Sequence, residues 1–330
     1  MFTTRTFRTW ISLVAWLIML ALVPVLFAQK EKDKDKKSAV APADAPAVLW
    51  REPSDISTRD LFLGPGGEAM KPDLSNITFE KDDQSGYSVK YHVSDGAGRK
   101  WVVKVGNEAR PETAAVRLLW AVGYATEINY LVPCLHIKGA TKPRKNVDRC
   151  EGDGFANARF EARPDNTERL DTWAWKNNPF AGTKELNGLA VLMALLNNWD
   201  LKNDNNKILL VRNEDGSTEQ RYIISDLGAT FGKTGGAISH SRNEPEKYVK
   251  TKFVDRVKGD RVEFAFSGKQ GELLERVTVE QAKWIGSLLA QLSDQQLQDA
   301  FRAANFEPEE IQMLTKEVRA RIEQLVNLPG

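Results

Sequence analysis

Three short segments in which apolar and polar residues alternate follow one another between residues 76 and 106. Their sequences are ITFEK, YSVKYHV and RKWVVKVG, and the segments between them, DDQSG and SDGAG, each contain a glycine. A period of two is typical of β-strands, and short glycine-containing segments between such strands form tight turns. The pattern therefore predicts an antiparallel meander of three strands, which restricts the chain to folds with a β-sheet in this region.

Two further groups of elements follow the meander. The sequence predicts a helix that begins at Pro111 and ends near Gly123, and Thr183 can cap a second helix. Two strand-like segments, KILLV and RYIIS, flank the turn NEDGS, and the helical C-terminal third carries capping boxes that begin at Thr278 and Ser293. We therefore predict an α+β chain with a small antiparallel β lobe that carries one helix, followed by a larger, mostly helical lobe.

The approximate limits of these regions come from changes in composition. We assign residues 51–150 to the β-rich lobe and residues 151–330 to the mostly helical lobe, whose first part, up to Gly182, is predicted to be irregular. Residues 29–50 combine a run of mixed charges with an Ala/Pro stretch. Such a composition buries too little apolar area to offset the entropy of ordering, so it predicts a flexible linker.

Residues 1–28 have the pattern of a secretory signal peptide. Two arginines precede an uncharged apolar stretch at residues 10–28. This stretch is also long enough to span a bilayer, so an uncleaved anchor is the alternative. Five lysines at residues 30–37 favour the inverted orientation, because positive charge tends to stay on the cytoplasmic side. We expect an extracytoplasmic protein, periplasmic or secreted, with a cytoplasm-facing anchored form as the alternative.

Charge and residue counts exclude two classes of function. The 46 Lys and Arg residues nearly balance the 45 Asp and Glu residues, so there is no basic excess to bind a nucleic-acid backbone. The two cysteines and three histidines lack the spacing of a structural zinc site. We therefore expect no nucleic-acid partner, and any metal should be a hard cation bound by oxygen atoms.

Cys134 and Cys150 are the two cysteines of the chain. Each stands at the end or the start of a strand-like segment, so a hairpin could bring them together. In an oxidising compartment the pair should form a disulfide, whereas in the cytoplasm both would remain thiols. The alternative is two independent buried cysteines that act as small apolar residues.

Four positions carry groups suited to phosphate and metal chemistry. Lys104 lies on the third strand, and Glu112 lies on the inward face of the next helix, where a carboxylate needs a partner such as Lys104. Taken singly, both could be solvated surface charges. The polar loop DLKNDN, which begins at Asp200, follows a buried helix and precedes a buried strand. Asp226 ends a later strand within the sequence SDLG, and oxygen ligands of these types suit a hard cation.

Together these positions resemble the motifs of the protein-kinase-like superfamily. DLKNDN is similar to the kinase catalytic loop DLKxxN, and DLG is similar to DFG with Leu in place of Phe. The resemblance implies a two-lobed protein-kinase-like fold in which Asp200 would orient or deprotonate an acceptor hydroxyl and Lys202 would neutralise the transferred phosphoryl group. Longer sequence segments, such as RPETAAVRLLWAVGY, also resemble those of a group of exported bacterial proteins without known activity.

The same resemblance implies a nucleotide and a metal. Lys104, positioned by Glu112, would bind the α- and β-phosphates of ATP or another nucleotide, while Asn205 and Asp226 would bind Mg²⁺ or Mn²⁺. The implied function is transfer of a phosphoryl group to an unknown hydroxyl-bearing protein or small molecule. Any contact with a membrane would be made through the possible N-terminal anchor.

The chain departs from the kinase pattern in several respects, including the phosphate turn and the residues before Asp200; it also has no clear APE motif after Asp226 and a short gap between Lys104 and Glu112. The turn DDQSG between the first two strands has one glycine where kinases have GxGxxG, and its two acids are expected to repel nucleotide phosphates. Asn198 and Trp199 replace the His and Arg that precede the catalytic Asp in kinases. These departures leave a second interpretation open, a noncatalytic pseudokinase-type binding module that uses the same cleft for a nucleotide or a protein partner.

Overall fold

A computed structural model describes residues 45–235 and 239–329. The predicted signal peptide or anchor, residues 1–28, lies outside the described residues, as do residues 29–44 of the predicted linker. The assignment of residues 45–50 to that linker is wrong. Leu49 is buried, and the first strand, β1 (Ala47–Val48), pairs in parallel with a strand of the larger lobe, so this segment belongs to the folded structure.

The smaller lobe is built on a six-stranded antiparallel sheet. Its strands are β2 (Thr78–Asp83), β3 (Val89–Ser94), β4 (Lys100–Val105), β5 (Asn129–Leu135), β6 (Arg149–Cys150) and β7 (Gly154–Ala162). The spatial order is β2-β3-β4-β7-β5, and β6 pairs with the start of β7. The predicted meander is confirmed as β2, β3 and β4, which are antiparallel neighbours.

The sheet continues past residue 150, where the sequence analysis placed the boundary between the lobes. Strand β7 lies within the stretch that was predicted to be irregular, and it pairs with both β4 and β5. The prediction was wrong because Arg159 and Glu161 occupy positions that an ordinary buried strand fills with apolar residues. Both side chains are buried, at 1% and 4% exposure, and they pair with other charges.

Helix α1 (Ala109–Ala121) packs against β5 and β7. It begins two residues before Pro111, which therefore lies inside the first turn and not at the first helical position. Proline is tolerated there because the first-turn N–H groups have no intrahelical partner. Gly123 follows the helix with a φ of 95°, a conformation that favours glycine. The helix places Glu112 and Ala115 on its buried face, as predicted.

The larger lobe contains a four-stranded sheet with the order β1-β10-β9-β8, a separate hairpin and several helices. Its further elements are β8 (Thr167–Arg169), α2 (Lys184–Leu195), β9 (Asn206–Arg212), β10 (Thr218–Ile224), α3 (Pro245–Tyr248), β11 (Val254–Lys258), β12 (Arg261–Phe264), α4 (Val279–Leu289), α5 (Asp294–Arg302) and α6 (Pro308–Val326). The hairpin β11–β12 corrects the prediction of a purely helical C-terminal third. Its alternating sequence VDRVK-GD-RVEF carried a strand signal that the surrounding helices obscured.

The helix starts in this lobe agree with the sequence signals. Thr183 Oγ1 accepts a hydrogen bond from the N–H of Leu186 at the start of α2. Both predicted capping boxes, at Thr278 and Ser293, are present at the starts of α4 and α5. Every residue from Gly188 to Leu196 is buried, so α2 forms the centre of this lobe. The predicted two-lobed α+β architecture is confirmed.

No helix in the described ranges is both long and apolar enough to cross a membrane.

Cys134 and Cys150 form a disulfide, with their Cα atoms 5.7 Å apart. Cys134 lies on β5 and Cys150 on β6, and both strands pair with β7 and not with each other. The expected disulfide is confirmed, whereas the expected hairpin between the two cysteines is not. The bond closes a loop of residues 135–149, hereafter the disulfide loop. This loop reaches the β2–β3 turn, where the guanidinium of Arg144 donates hydrogen bonds to backbone carbonyl groups.

Candidate active site

A cleft of about 1020 Å³ lies between the six-stranded sheet and the larger lobe. Five of the six residues singled out from the sequence line it: Lys104, Asp200, Lys202, Asn205 and Asp226. The sixth, Glu112, is buried behind Lys104. The structure thus brings together side chains that lie up to 122 residues apart in the sequence.

Lys104 occupies the centre of the cleft wall formed by β4. Its Nζ lies 2.7 Å from Glu112 Oε2 and 3.4 Å from Asp226 Oδ1. Burial would lower the pKa of Lys104, but the carboxylates of Asp226 and Glu112 raise it above the ordinary value, so the ammonium group stays charged. The side chains of Lys104 and Glu112 are only 4% and 1% exposed, so the alternative of two solvated surface charges is wrong.

A second cation, Arg159 on β7, also contacts Glu112. Arg159 Nη2 lies 3.2 Å from Glu112 Oε1 and 2.6 Å from Glu161 Oε2. Burial would raise the pKa of Glu161, but Arg163, Arg159 and Arg169 hold it well below the ordinary value. Sequence reasoning missed these residues because buried charges on a strand give no alternating pattern. The resulting network fixes Glu112 from the side opposite to Lys104 without leaving its second oxygen unpaired.

Asp226 follows β10 and faces the cleft with a side chain that is 41% exposed. The N–H of Gly228 donates to Asp226 Oδ1 over 3.2 Å. Burial would raise the pKa of Asp226, but the Lys104 ammonium and the Gly228 N–H lower it, so the group is ionised at neutral pH. A Cβ atom on Gly228 would lie 2.6 Å from Glu108 Cβ, so the turn after Asp226 requires glycine.

Asp200 lies in the loop between α2 and β9, and several neighbours fix its position. Its N–H donates to Asn198 Oδ1 over 3.2 Å, and its carbonyl oxygen accepts from Asn205 Nδ2 over 2.7 Å. Lys202 Nζ lies 2.9 Å from Asp200 Oδ2, and Lys269 Nζ lies 2.7 Å from Asp200 Oδ1. Burial would raise the pKa of Asp200, but these two lysines lower it below the ordinary value. Asn198, which stands in place of the kinase histidine, thus holds the aspartate backbone.

Lys269 is a cleft residue that the sequence analysis did not identify. It lies in the segment between β12 and α4, 69 residues after Asp200. Nothing in its local sequence distinguishes it from other exposed lysines. Only the fold of the larger lobe brings it to the carboxylate.

The acidic β2–β3 turn is held by hydrogen bonds within the turn and by residues of the disulfide loop. Asp83 Oδ1 accepts hydrogen bonds from the N–H and hydroxyl of Ser85, and Asp82 Oδ1 accepts from the hydroxyl of Thr141. Arg144 of the disulfide loop donates to the carbonyls of Gly86 and Ser88 over 2.8 and 2.6 Å. These contacts fix the backbone of a turn that has a single glycine.

Glu108, the residue just before α1, connects four parts of the site. Its carboxylate accepts from the hydroxyl of Ser88 and pairs with Arg242, which belongs to the segment after Asp226. Glu108 Oε2 also lies 3.6 Å from Lys104 Nζ. The start of α1 is therefore tied to the β2–β3 turn region, to β4 and to the segment that follows Asp226.

These contacts define the class of protein. A strand lysine paired with a helix glutamate, a loop aspartate followed by an asparagine, and a strand-end aspartate in a DLG turn all meet in one cleft between two lobes. This combination is that of the protein-kinase-like fold, so the prediction of that fold is confirmed.

No protein-family model matches the chain, and no curated protein matches it in sequence. A proinflammatory kinase from Helicobacter pylori, CtkA, is similar in structure, with a TM-score of 0.45 and 12% identity over 78% of this chain and 97% of that one. The Golgi casein kinase with Mn/ADP bound gives a TM-score of 0.41 and 9% identity, over 78% of this chain and 73% of that one.

A third similar structure is the Rio2 kinase from Chaetomium thermophilum in an ADP/Mg²⁺-phosphoaspartate complex. It gives a TM-score of 0.31 and 14% identity, over 78% of this chain and 74% of that one. At such identities and TM-scores these similarities carry no argument by themselves, so the fold and the chemistry of this chain are argued from its own residues.

Proposed function

We propose that the chain is a kinase-like phosphotransferase that moves a phosphoryl group from a nucleoside triphosphate, ATP or another, to a hydroxyl group of an unidentified protein or small molecule. The observation that carries this proposal is the convergence of Lys104, Asp200 and Asp226 on one cleft, with Glu112 buried behind the lysine. Such an arrangement provides a phosphate ligand, a metal ligand and a group that accepts a proton.

The chain's own residues can perform the transfer as follows. Lys104 would bind the α- and β-phosphates, and Lys202 would neutralise charge on the transferred group. Asp200 would orient the acceptor hydroxyl and accept its proton while the acceptor oxygen forms a bond to the γ-phosphorus. The bond from that phosphorus to the bridging oxygen of the nucleotide breaks, and the nucleoside diphosphate leaves. The lowered pKa of Asp200 keeps it in the proton-accepting form at neutral pH.

Two oxygen donors at the cleft suit a hard divalent cation. The Asp226 carboxylate is partly exposed and ionised, and Asn205 uses its Nδ2 for Asp200, which leaves its amide oxygen as a ligand. Among the residues that the structure describes, no group of three His, Cys, Asp or Glu side chains forms a metal site by itself. Mg²⁺ is commonly held by one or two protein groups together with substrate phosphates, and when bound it or Mn²⁺ would neutralise phosphate charge here.

The test has two parts. In the first, millimolar nucleotide with Mg²⁺ or Mn²⁺ should raise the thermal midpoint of the wild-type protein, because a ligand that binds only the native state stabilises it. Asp226→Ala should abolish this shift, whereas Asp260→Ala, at an exposed turn, should keep it. An unchanged wild-type midpoint with every nucleotide tried would contradict the proposal.

The second part separates catalysis from binding. Asp200→Asn preserves the shape of the side chain but removes the proton acceptor, so phosphate transfer should fall by about 10²-fold or more while the nucleotide-dependent thermal shift remains. Radiolabelled phosphate incorporation into the protein itself, or into cell extracts, measures the transfer.

A noncatalytic binding module is a second candidate, and two observations favour it. Both carboxylate oxygens of Asp200 are paired with lysines, so an acceptor hydroxyl would have to replace one of them. The β2–β3 turn also places Asp83 at the cleft, where it repels phosphates. A wild-type protein that binds nucleotide without transferring phosphate would support this candidate.

The compartment belongs to the same proposal. We place the folded region outside the cytoplasm, since disulfides persist in oxidising compartments and are rare in the cytosol of most organisms. The 5.7 Å separation of the Cys134 and Cys150 Cα atoms supports this placement. Fractionation of cells that express the full chain, followed by thiol labelling under non-reducing conditions, tests it.

A further inference from the structure

The proposed reaction determines which end of the cleft receives the nucleoside. In phosphoryl transfer the attacking and leaving oxygens lie roughly in line on opposite sides of the phosphorus. The acceptor is bound near Asp200, so the remainder of the nucleotide must extend away from Asp200, past Lys104. The cleft is also lined by Arg163, which follows β7 of the smaller lobe, and by Arg169, which ends β8 of the larger lobe; we call this part the linker end of the cleft, because the chain passes between the lobes here.

The linker end of the cleft is charged. Arg163, Arg169, Glu161 and Lys207 line it, and Val102 is the single aliphatic side chain among the described residues that line the cleft. Small-molecule pockets are usually lined mostly by apolar side chains, with a few polar groups that fix the orientation of the ligand. Tyr87, Trp199 and His240 are the aromatic residues that also line the cleft, while the charged groups beside Arg163 are suited to the polar edge of a base.

The two linker arginines differ in what they can offer a ligand. Arg169 donates from both terminal nitrogens to Glu127 Oε1 over 2.7 Å, and its Nη2 also contacts Glu161 and Ser225. Its guanidinium is therefore occupied by protein groups. The acids that hold it, Glu127 and Glu161, have side chains only 5% exposed.

Arg163 is anchored by one nitrogen only. Its Nη1 lies 2.5 Å from Glu161 Oε1 and donates to the carbonyl of Ala162 over 2.9 Å. Neither Nε nor Nη2 of Arg163 has a protein partner among the described residues, and the side chain is 28% exposed at the cleft. One edge of the guanidinium, with two parallel N–H groups, is therefore available to a ligand bound in the cleft.

That edge discriminates between purines. A guanidinium edge fits two neighbouring acceptors, and guanine presents O6 and N7 side by side. Adenine presents N7 beside an amino group, which would place a donor against one of the Arg163 N–H groups. Burial would lower the pKa of Arg163, but Glu161 and Glu127 raise it, so Arg163 offers donors at every physiological pH.

We propose that Arg163 recognises the base by donating hydrogen bonds to its O6 and N7 atoms. The phosphate donor is then a 6-oxopurine nucleotide, of which guanosine triphosphate is the common form. This inference rests on the proposed function, because it uses the placement of the phosphates at Lys104 and of the acceptor at Asp200.

Nucleoside diphosphates test the inference directly, since they keep the base and cannot be consumed by transfer. Titration calorimetry of the full chain with Mg²⁺ should show GDP and IDP binding about tenfold or more tightly than ADP, the discrimination expected of one bidentate contact. IDP should match GDP because the argument uses O6 and N7 and not the 2-amino group. UDP, which lacks a ring acceptor beside its exocyclic oxygen, and pyrophosphate should bind more weakly than GDP.

A matched pair of variants assigns the effect to Arg163. Arg163→Met should reduce the ratio of GDP to ADP affinity to about one while ADP affinity changes little. Arg256→Met removes an exposed arginine of β11, 66% exposed, and should keep the wild-type ratio. Should Arg163→Met fail to fold, the wild-type series alone decides.

The outcomes separate the inference from the proposed function. If ADP binds as tightly as GDP, or if UDP or pyrophosphate matches GDP, the reading of a 6-oxopurine by Arg163 is overturned, while nucleotide binding by the cleft stands. If none of these nucleotides binds, the proposed function and the inference fall together.

Discussion

Lys269 Nζ lies 2.7 Å from Asp200 Oδ1, while Lys202 Nζ lies 2.9 Å from the other oxygen of the same carboxylate. The two lysines come from different parts of the larger lobe, and together they hold the pKa of Asp200 below its ordinary value against the effect of burial. The carboxylate thus has two cationic partners, one of which lies within its own loop and one outside it.

Lys269→Met should alter the pH dependence of phosphate transfer. Loss of one cation raises the pKa of Asp200, so the carboxylate becomes protonated sooner as the pH is lowered. The acid limb of the kcat/KM profile therefore moves to higher pH. Nucleotide affinity should stay close to that of the wild type. Lys258→Met, at an exposed position of β11, is the matched control and should leave the profile in place. An unshifted acid limb in Lys269→Met would show that this lysine does not tune Asp200.

Asp95 should control the stability of the smaller lobe. Its fully buried carboxylate accepts from the backbone N–H groups of Arg99 and Asp73 and from Trp101 Nε1. Asp95→Asn replaces one acceptor oxygen by a donor, so we expect the free energy of unfolding at neutral pH to fall by about 2 to 4 kcal/mol.

The same substitution has a defined pH dependence. Burial would raise the pKa of Asp95, but its hydrogen-bond donors lower it, so its stabilising contribution is present above the unfolded-state value of about 3.9 and is lost as pH falls through the lower folded value. Denaturant titrations should show the gap between wild type and Asp95→Asn closing below about pH 4. Asp260→Asn, 80% exposed, should show no gap at any pH.

Removal of the disulfide should destabilise the protein. The double variant Cys134→Ser, Cys150→Ser opens a short loop, and the chain-entropy model gives a loss of about 3 kcal/mol in the free energy of unfolding. A reducing agent should lower the wild-type stability to that of the variant and leave the variant unchanged. Equal stability of the wild type and the double variant under oxidising conditions would contradict this expectation.

Arg144 should influence the β2–β3 turn more than the global fold. Arg144→Gln removes donors from the carbonyls of Gln84, Gly86 and Ser88, so the amides of residues 84–88 should exchange hydrogen faster, while global stability changes by about 0.5 kcal/mol or less. Nucleotide affinity should fall because the turn must then be ordered on binding. Lys142→Gln, at an exposed position of the same loop, is the control for both measurements.

Features that depend on neighbouring residues in the chain could be predicted from the sequence. The alternation in β2–β4 and the capping boxes at Thr278 and Ser293 each specify local geometry within a few residues. The Lys104–Glu112 contact also spans only eight positions. The resemblance of DLKNDN and SDLG to kinase motifs indicated which residues line the cleft, because each motif is short and contiguous in the sequence.

Features that depend on distant contacts could not be predicted in this way. Lys269 contacts Asp200 only because of the fold of the larger lobe. Arg159 and Glu161 lie on a buried strand that the sequence did not reveal, because charged residues are unusual in a buried strand and some of their partners are distant in the sequence. The base-reading role proposed for Arg163 depends on which of its nitrogens Glu161 occupies, and no pattern in the sequence records that.

The contacts of Glu108 have a mechanical consequence. In protein kinases the pairing of the strand lysine with the helix glutamate depends on the position of that helix. Here an outward swing of α1 would also break the Ser88 and Arg242 contacts of Glu108, so three elements would have to detach in one cooperative event. Glu108, just before the helix, ties α1 to three neighbouring elements, so we expect the Lys104–Glu112 pair to resist separation.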